Sequence, residues 1–473
     1  MTLPEARALL EAQRTAFRAE GVVSARVRMD RLERALDLLV THQVAFCEAA
    51  ALDFGQRAAS LTRFMDILPA VLALKHARRH VRRWMRPRRQ SVGLPAGAPG
   101  TRAEIAYQPL GVVGVISPWN FPLTLTFGPL ADILAAGNRC LIKPSELTPG
   151  VSSLIAGLVG KYFDAQEAAV VTGDAQVAEG FASLPFDHLL FTGSTAIGRR
   201  VMAAAAQNLV PVTLELGGKC PTLIGRSAHF ARAVDRIMLC KLANAGQMCI
   251  APDYVYVPSE SLESFVQAAR AWLDRVYPGF PANLDYTSII SGRHAARLEA
   301  LAADAVAKGA RLVPLAPSSD ARAAPARLIA PTLVLDATDD MQVMQEEIFG
   351  PLLPVRPYKR IEDPVAEINS RPRPLAIYYF GEDRAEKDWM LAHTTSGGVT
   401  VNDIAMHFLA QELPFGGVGA SGMGSYHGEH GFMRFSHARA VFHQTRLDVA
   451  GLVGLRPPYG ARVQRVLKLL IRR

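Results

Sequence analysis

The sequence predicts an α/β fold: a doubly wound parallel-sheet domain, a second α/β domain and a small β element. Three observations carry that expectation. From Val112 onward, short apolar strand-like runs alternate with helix-like runs, the pattern of strands buried on both faces and joined by helical crossovers. The alternation restarts near Thr222 and continues to Val401, so a second unit of the same kind follows. Glu215 and Cys249 fall near the crossing between the two units, where clefts form in such proteins.

The first ninety residues read as helical, because Leu32, Leu36, Leu39 and Val40 recur at helical spacing, as do Met65, Leu68 and Leu72. Pro and Gly then thicken from Pro87 to Arg102, and Ile105 to Tyr107 resumes as a strand. Val112 to Ile116 is a buried strand, Leu123 to Ala136 a helix and Cys140 to Ile142 a strand. Thr148 before Pro149 reads as a helix cap, with proline in the first turn. Ala168 to Val171 and Leu189 to Phe191 are strands separated by a short helix. Ser194 or Thr195 caps a helix reaching about Ala205, and Val212 to Glu215 is the next strand. In the second unit, Phe230 to Leu242 and Leu262 to Val276 are helices, with Tyr254 to Val257 a strand. An Ala/Pro/Ser/Asp-rich run near 314 to 327 reads as a surface loop.

Composition bounds the function. The chain has 473 residues, 49% hydrophobic and 20% charged, which suits a globular protein of two or three domains. Its net charge of +9 is partly local, since Arg78, Arg79, Arg82, Arg83, Arg86, Arg88 and Arg89 lie in one segment. No nucleic-acid motif accompanies them, so they read as a solvated or inter-subunit helix face. Cys47, Cys140, Cys220, Cys240 and Cys249 are odd in number and lack CxxC spacing; reduced thiols in the cytoplasm are expected, not disulfides or zinc. The start has no signal-peptide pattern, and no uncharged apolar run approaches the roughly 20 residues that span a bilayer. His427 and His430 flank Glu429 without a third ligand at a fitting spacing, so no metal is expected.

The chemistry lies in two short runs. Cys249 sits in Asn244-Ala245-Gly246-Gln247-Met248-Cys249-Ile250, and Glu215 opens Glu215-Leu216-Gly217-Gly218-Lys219. A lone cysteine in a small-residue loop, with a carboxylate ending an earlier strand, is the layout of a thiol nucleophile and its base. Asn120 follows the Val112 strand, where its amide can donate to an oxyanion.

A G-x-G-x-x-G match at Gly417 to Gly422 lacks the strand before and helix after that a dinucleotide fingerprint requires, and is rejected. Phe191-Thr192-Gly193-Ser194-Thr195-Ala196-Ile197-Gly198 has both, so its helix N-terminus suits a phosphate. Lys143 and Glu146 end another strand, where they can bond a ribose diol. The Glu146 carboxylate would repel a 2′-phosphate, favouring NAD with NADP the alternative.

Pro118-Trp119-Asn120, Lys143-Pro144-Ser145-Glu146, Phe191 to Ser194, Glu215 to Lys219, Gly246-Gln247-x-Cys249 and Glu347-Ile348-Phe349-Gly350-Pro351 occur in this order. Together they resemble the NAD(P)-dependent aldehyde dehydrogenase superfamily, over residues of about 15 to 445. Asn402-Asp403, Met406-His407-Phe408, Leu413 to Gly419, Ser421 to Gly428 and Phe435-Ser436-His437 are similar to its class-three and fatty-aldehyde branch. Lys75 to His80 and Leu184 to Leu190 resemble the bacterial coniferyl aldehyde dehydrogenases.

The resemblance implies a nucleophile at Cys249, an oxyanion donor at Asn120 and a base at Glu215. It places Lys143, Glu146, Gly193, Ser194, Gly198, Glu347, Phe349 and Trp119 at the cofactor, with Glu347 on the nicotinamide ribose and sharing proton transfer. It implies a cofactor domain (1–90 and 108–216), a catalytic domain (217–405) and an oligomerisation element (91–107 and 406–445) that makes a homodimer. The substrate would be an aromatic or medium- to long-chain aldehyde. A CoA-acylating enzyme and a non-catalytic membrane- or nucleic-acid-associated protein are the rivals. Met248 stands where Thr is commoner, and Cys220 where Ser is usual.

The tail from 446 to 473 carries an apolar stripe, Val463, Val466, Leu467, Leu470 and Ile471, flanked by basic residues. Packing on its own domain or a partner subunit is favoured over contact with an anionic membrane.

Overall fold

The computed structural model describes residues 2–93, 100–316, 327–447, 449–452 and 454–471. Most of the Ala/Pro/Ser/Asp run, Arg472 and Arg473 lie outside them. Sixteen strands form three sheets among the described residues.

The first sheet has the order β15-β7-β6-β3-β4-β5, with β3 Val112–Ile116, β4 Arg139–Lys143, β5 Ala168–Val170, β6 His188–Gly193, β7 Val212–Leu216 and β15 Gly422–Met423. β3 to β7 are mutually parallel, while β15 runs antiparallel to β7. The chain builds outward from β3 through β4 and β5, then returns to add β6 and β7 on the other side. That reversal opens a crevice at the carboxyl ends of β3 and β6, where doubly wound sheets bind ligands. β3 and β4 are buried along their whole length, which explains the apolar runs Val112 to Ile116 and Cys140 to Ile142.

The second sheet has the order β10-β11-β12-β9-β8-β13-β14 and is parallel except at its β10 edge. Its members are β8 Pro221–Ile224, β9 Tyr254–Pro258, β10 Arg311–Pro314, β11 Thr332–Leu335, β12 Leu352–Tyr358, β13 Ala376–Phe380 and β14 Gly398–Val401. The third sheet is small: β1 Arg88–Gln90, β2 Arg102–Pro109 and β16 Ser436–His443, all antiparallel.

The predicted helices occur at Thr124–Ala136, Pro149–Tyr162, Thr195–Ala206, Phe230–Leu242 and Leu262–Val276. Ser194 caps the third of these through Ile197 N. The expected cap at Thr148 is absent: its side chain makes no capping bond. Asp53 takes that role, accepting from Gly150 N and Val151 N at 2.9 Å each, and a carboxylate there also suits the helix dipole. The rejected glycine stretch is irregular backbone packed on the edge of the first sheet: Gly422 pairs with Glu215, and Ala420 O accepts from Thr195 Oγ1.

The tail helix Ala461–Leu470 forms; of its apolar stripe Val463 is buried, Val466 and Leu467 are half-buried, and Leu470 and Ile471 are exposed.

Candidate active site

Cys249 lies on a loop that leaves the helix Phe230–Leu242 through three consecutive left-handed residues: Asn244 at φ 50°, Ala245 at φ 53° and Gly246 at φ 75°. Two of the three carry side chains, so the loop stores strain that its neighbours must hold in place. Gly246 has no room for a side chain, because a Cβ there would collide with the Gly350 carbonyl. Gln247 supplies the clamp. Its Nε2 donates to Asn244 O (3.0 Å) and Ser288 O (3.1 Å), and its Oε1 accepts from Ile290 N (2.9 Å).

The loop after β3 reaches the same place. Asn120 Nδ2 donates to Gln247 O (3.2 Å), and Asn244 Nδ2 donates to Asn120 O (3.2 Å). Arg57 Nη1 also donates to Asn120 O (2.9 Å), and its guanidinium faces Asp66 at 3.6 Å, both fully buried. Asp66 Oδ1 accepts from Leu123 N and Thr124 N, fixing the start of the next helix. The sequence reading missed Arg57, Asp66, Asn244 and Gln247; the polar residues before Cys249 were in view, but Arg57 and Asp66 carry no local signal.

Glu215 ends β7 and is 3% exposed, with neither carboxyl oxygen hydrogen-bonded among the described residues. Burial raises its pKa well above the carboxylate range. Glu347 is pushed up to about 8 by burial and by the Asp253 charge, against a backbone bond from Gly218 that favours its ionised form. The Cys249 thiol is pushed up to about 12 by burial, with Glu347 and Glu215 adding to the shift. The surroundings therefore hold a thiol at rest and do not lower its pKa. A group that accepts its proton must act at the moment of attack.

The segment bearing Glu347 and Phe349 is pinned from two sides. Arg297 donates to the carbonyls of Glu347 and Ile348, Ile348 N donates to Asp253 Oδ1 (2.9 Å), and Lys219 joins Asp253 to the carbonyls of Val343 and Glu346. Phe349 sits at φ 51° with its ring edge-on to Trp119, 5.4 Å between centroids.

Of the predicted cofactor residues, Lys143 and Gly193 end strands of the first sheet, and Trp119, Glu146 and Ser194 follow its strands. Lys143, buried at the end of β4, donates to Pro144 O (2.8 Å) and faces Glu146 at 3.6 Å. Gly193 ends β6, and Ser194 begins the helix that follows. Gly198 lies so close to Leu216 that a Cβ would clash, the tight helix–strand approach that brings a helix N-terminus to a phosphate. This donor set fits a dinucleotide: a cation and carboxylate for a ribose, a helix start for the pyrophosphate and Glu347 beside the thiol.

On the other side of Cys249 is a cavity of about 380 Å³. Met248, Phe121 and Leu125 stand at its buried floor, while Leu68, Leu72 and Leu409 are exposed at its mouth. Of the histidines considered for metal, His427 is buried among aromatic rings. Among the described residues the group with donor atoms close enough for an ion, within 4.8 Å, is His76, His80 and Glu412, which shares no residue with the cysteine site.

A cysteine between a crevice that fits a dinucleotide and an apolar cavity is a layout that suits a dehydrogenase. Comparison with known proteins agrees: the chain matches the aldehyde dehydrogenase family over residues 2–441. It is 50% identical over 462 residues to a probable coniferyl aldehyde dehydrogenase of Caulobacter vibrioides, covering 97% of this chain and 95% of that one. It is 47% identical over 463 residues to the coniferyl aldehyde dehydrogenase of Pseudomonas sp. strain HR199, covering 98% and 95%. Its backbone is similar to that of Staphylococcus aureus AldH in a substrate-bound state, with a TM-score of 0.91, 33% identity and coverage of 99% and 100%. The chain belongs to the aldehyde dehydrogenase family. It is an NAD(P)-dependent enzyme that oxidises aldehydes to carboxylic acids, and these matches favour neither the CoA-acylating nor the non-catalytic alternative.

Proposed function

We propose that Cys249 is the nucleophile, Asn120 the oxyanion donor, Glu215 the base for hydrolysis and Glu347 a second proton acceptor. As the Cys249 sulfur adds to the aldehyde carbon its proton passes to ionised Glu347, and the Asn120 amide and the Cys249 backbone N–H hold the resulting oxyanion. NAD would be held by Lys143, Glu146, Gly193, Ser194, Gly198, Glu347, Phe349 and Trp119, and when bound would supply the hydride acceptor. Loss of hydride from the adduct leaves a thioester on Cys249. Glu215 takes a proton from water, which attacks the thioester and expels the thiolate, releasing the acid. The observation that carries this reading is the junction of Asn120 with the Cys249 loop, 3.2 Å to Gln247 O, with two buried carboxyl groups, Glu215 and Glu347, near enough to act on the thiol.

The substrate in this reading is an aromatic aldehyde such as coniferaldehyde. An apolar cavity of about 380 Å³ suits a planar ring, and two relatives bear that substrate's name. Reduced-nicotinamide absorbance, followed with coniferaldehyde, benzaldehyde, hexanal and decanal, should give the highest kcat/KM for coniferaldehyde. A higher value for decanal would assign the cavity to aliphatic chains.

The chain divides in this proposal into the cofactor domain (1–90 and 108–216), the catalytic domain (217–405) and the oligomerisation element (91–107 and 406–445), followed by the tail. The three sheets support the division, although β15 sits on the cofactor sheet. β16 is exposed along most of both faces and lies at a sheet edge, an arm that a second copy would cover in a homodimer. Sedimentation should give a dimer, and a monomer would remove that assignment. Five free cysteines support a cytoplasmic setting, and among the described residues no single helix is long and apolar enough to cross a membrane.

A further inference from the structure

We propose that Arg236 and Asp403 form a binding subsite for a hydroxyl group at the far end of an aromatic aldehyde, which rests on the aromatic reading of the cavity. Both side chains line the cavity that holds Cys249. They are an ion pair in a wall that is otherwise mainly apolar.

The helix Phe230–Leu242 forms part of that wall. Arg236, Leu239, Cys240 and Ala243 face the cavity and recur at i, i+3, i+4 and i+7, one helical stripe. Seven residues of helix rise about 10 Å, so Arg236 stands about that far up the wall from Ala243, which enters the nucleophile loop. A hydroxycinnamaldehyde is of similar length from carbonyl carbon to phenolic oxygen. Arg236 also lies towards the mouth: its side chain is 38% exposed.

The pair has hydrogen-bonding capacity to spare. Among the described residues Arg236 Nε is buried without a hydrogen bond, 3.8 Å from Asp403 Oδ2 and so beyond hydrogen-bond length. Asp403 is held in place independently. Its Oδ1 accepts from Ile404 N (2.8 Å), and the preceding Asn402 is tied to Gly381 through both ends of its side-chain amide (2.9 and 3.2 Å). Oδ2 is left to face Arg236 and the cavity.

The chemistry selects a neutral hydroxyl. A carboxylate would gain from Arg236 but be repelled by Asp403, and an ammonium would meet the opposite conflict. A hydroxyl can donate to Asp403 and accept from Arg236 at once. A phenol at the end of a planar apolar body meets both the pair and the wall beneath it.

The test is the ratio of kcat/KM for 4-hydroxycinnamaldehyde to that for cinnamaldehyde, in wild type, Arg236→Met and Asp403→Asn, with hexanal alongside. Wild type should favour the hydroxylated substrate by about 10- to 100-fold, and each substitution should bring the ratio close to one. A ratio near one in wild type would overturn the subsite, as would variants that keep the wild-type ratio. Equal losses on both substrates would make the pair a structural tie instead. Hexanal outrunning both aromatic aldehydes in wild type would overturn the aromatic reading itself, and the subsite with it.

Discussion

The two sides of Cys249 are built by different rules. On the side of Glu347 and around the Cys249 loop, positions are fixed by hydrogen bonds: Gln247 to three backbone groups, Asn120 to the Cys249 loop, Arg297 and Lys219 to the Glu347 segment. On the substrate side, Met248, Phe121, Leu125, Leu68 and Leu72 supply shape alone. A buried donor without its partner costs about 1–3 kcal/mol, so few residue types can serve on the first side. One methylene in an apolar pocket discriminates by only about 1–3 kcal/mol, so many side chains serve on the second. The reaction is accordingly more firmly fixed than the aldehyde it acts on.

Asn120→Ala should produce the largest loss among the positions that do not react covalently. Removing one oxyanion donor costs about a hundred- to a thousandfold in kcat; a loss below tenfold would move the oxyanion elsewhere. The Arg57–Asp66 pair tests whether buried polar packing holds the site. Arg57→Met leaves a buried carboxyl group without its counter-charge and should lower unfolding free energy by about 3 kcal/mol, read by chemical denaturation. An unchanged midpoint would show that the loop is held without that pair.

The pH profile sharpens the contrast further. Glu347 accepts a proton only when ionised, and its pKa is raised to about 8. Activity should therefore climb as pH rises through about 8, and Glu347→Gln should flatten that limb. An identical profile in the variant would assign the limb to another group. The smallest effect is expected at Glu146, exposed near the buried Lys143. Its carboxylate disfavours a 2′-phosphate, so wild type should prefer NAD, and Glu146→Gln should narrow the preference by about tenfold or less. Equal use of both cofactors by wild type would contradict that role.

What was legible in the sequence follows the same division. Strands β3, β4 and β6 were readable because burial on both faces leaves a short apolar run at the centre of each. The segments of Asn120, Glu215 and Cys249 stood out because glycines and polar residues interrupt the apolar pattern there, and the fold brings Asn120 to the loop that carries Cys249. The Arg57–Asp66 support was not, since its partners are brought to residues 120–124 only by tertiary packing. Thr148 misled for a related reason: the local cap signal was present, but Asp53, distant in sequence, occupies the helix start. The raised thiol pKa was also invisible, because burial and two nearby carboxyls are properties of the fold and not of the motif.

The most direct test of the covalent account is a single-turnover experiment with Glu215→Gln, substrate aldehyde and NAD, followed by rapid quench and peptide mass spectrometry. The account predicts a burst of reduced nicotinamide close to one per active site and an acyl group on the Cys249 peptide, absent in Cys249→Ala. Steady turnover at the wild-type rate with no acyl adduct would contradict it.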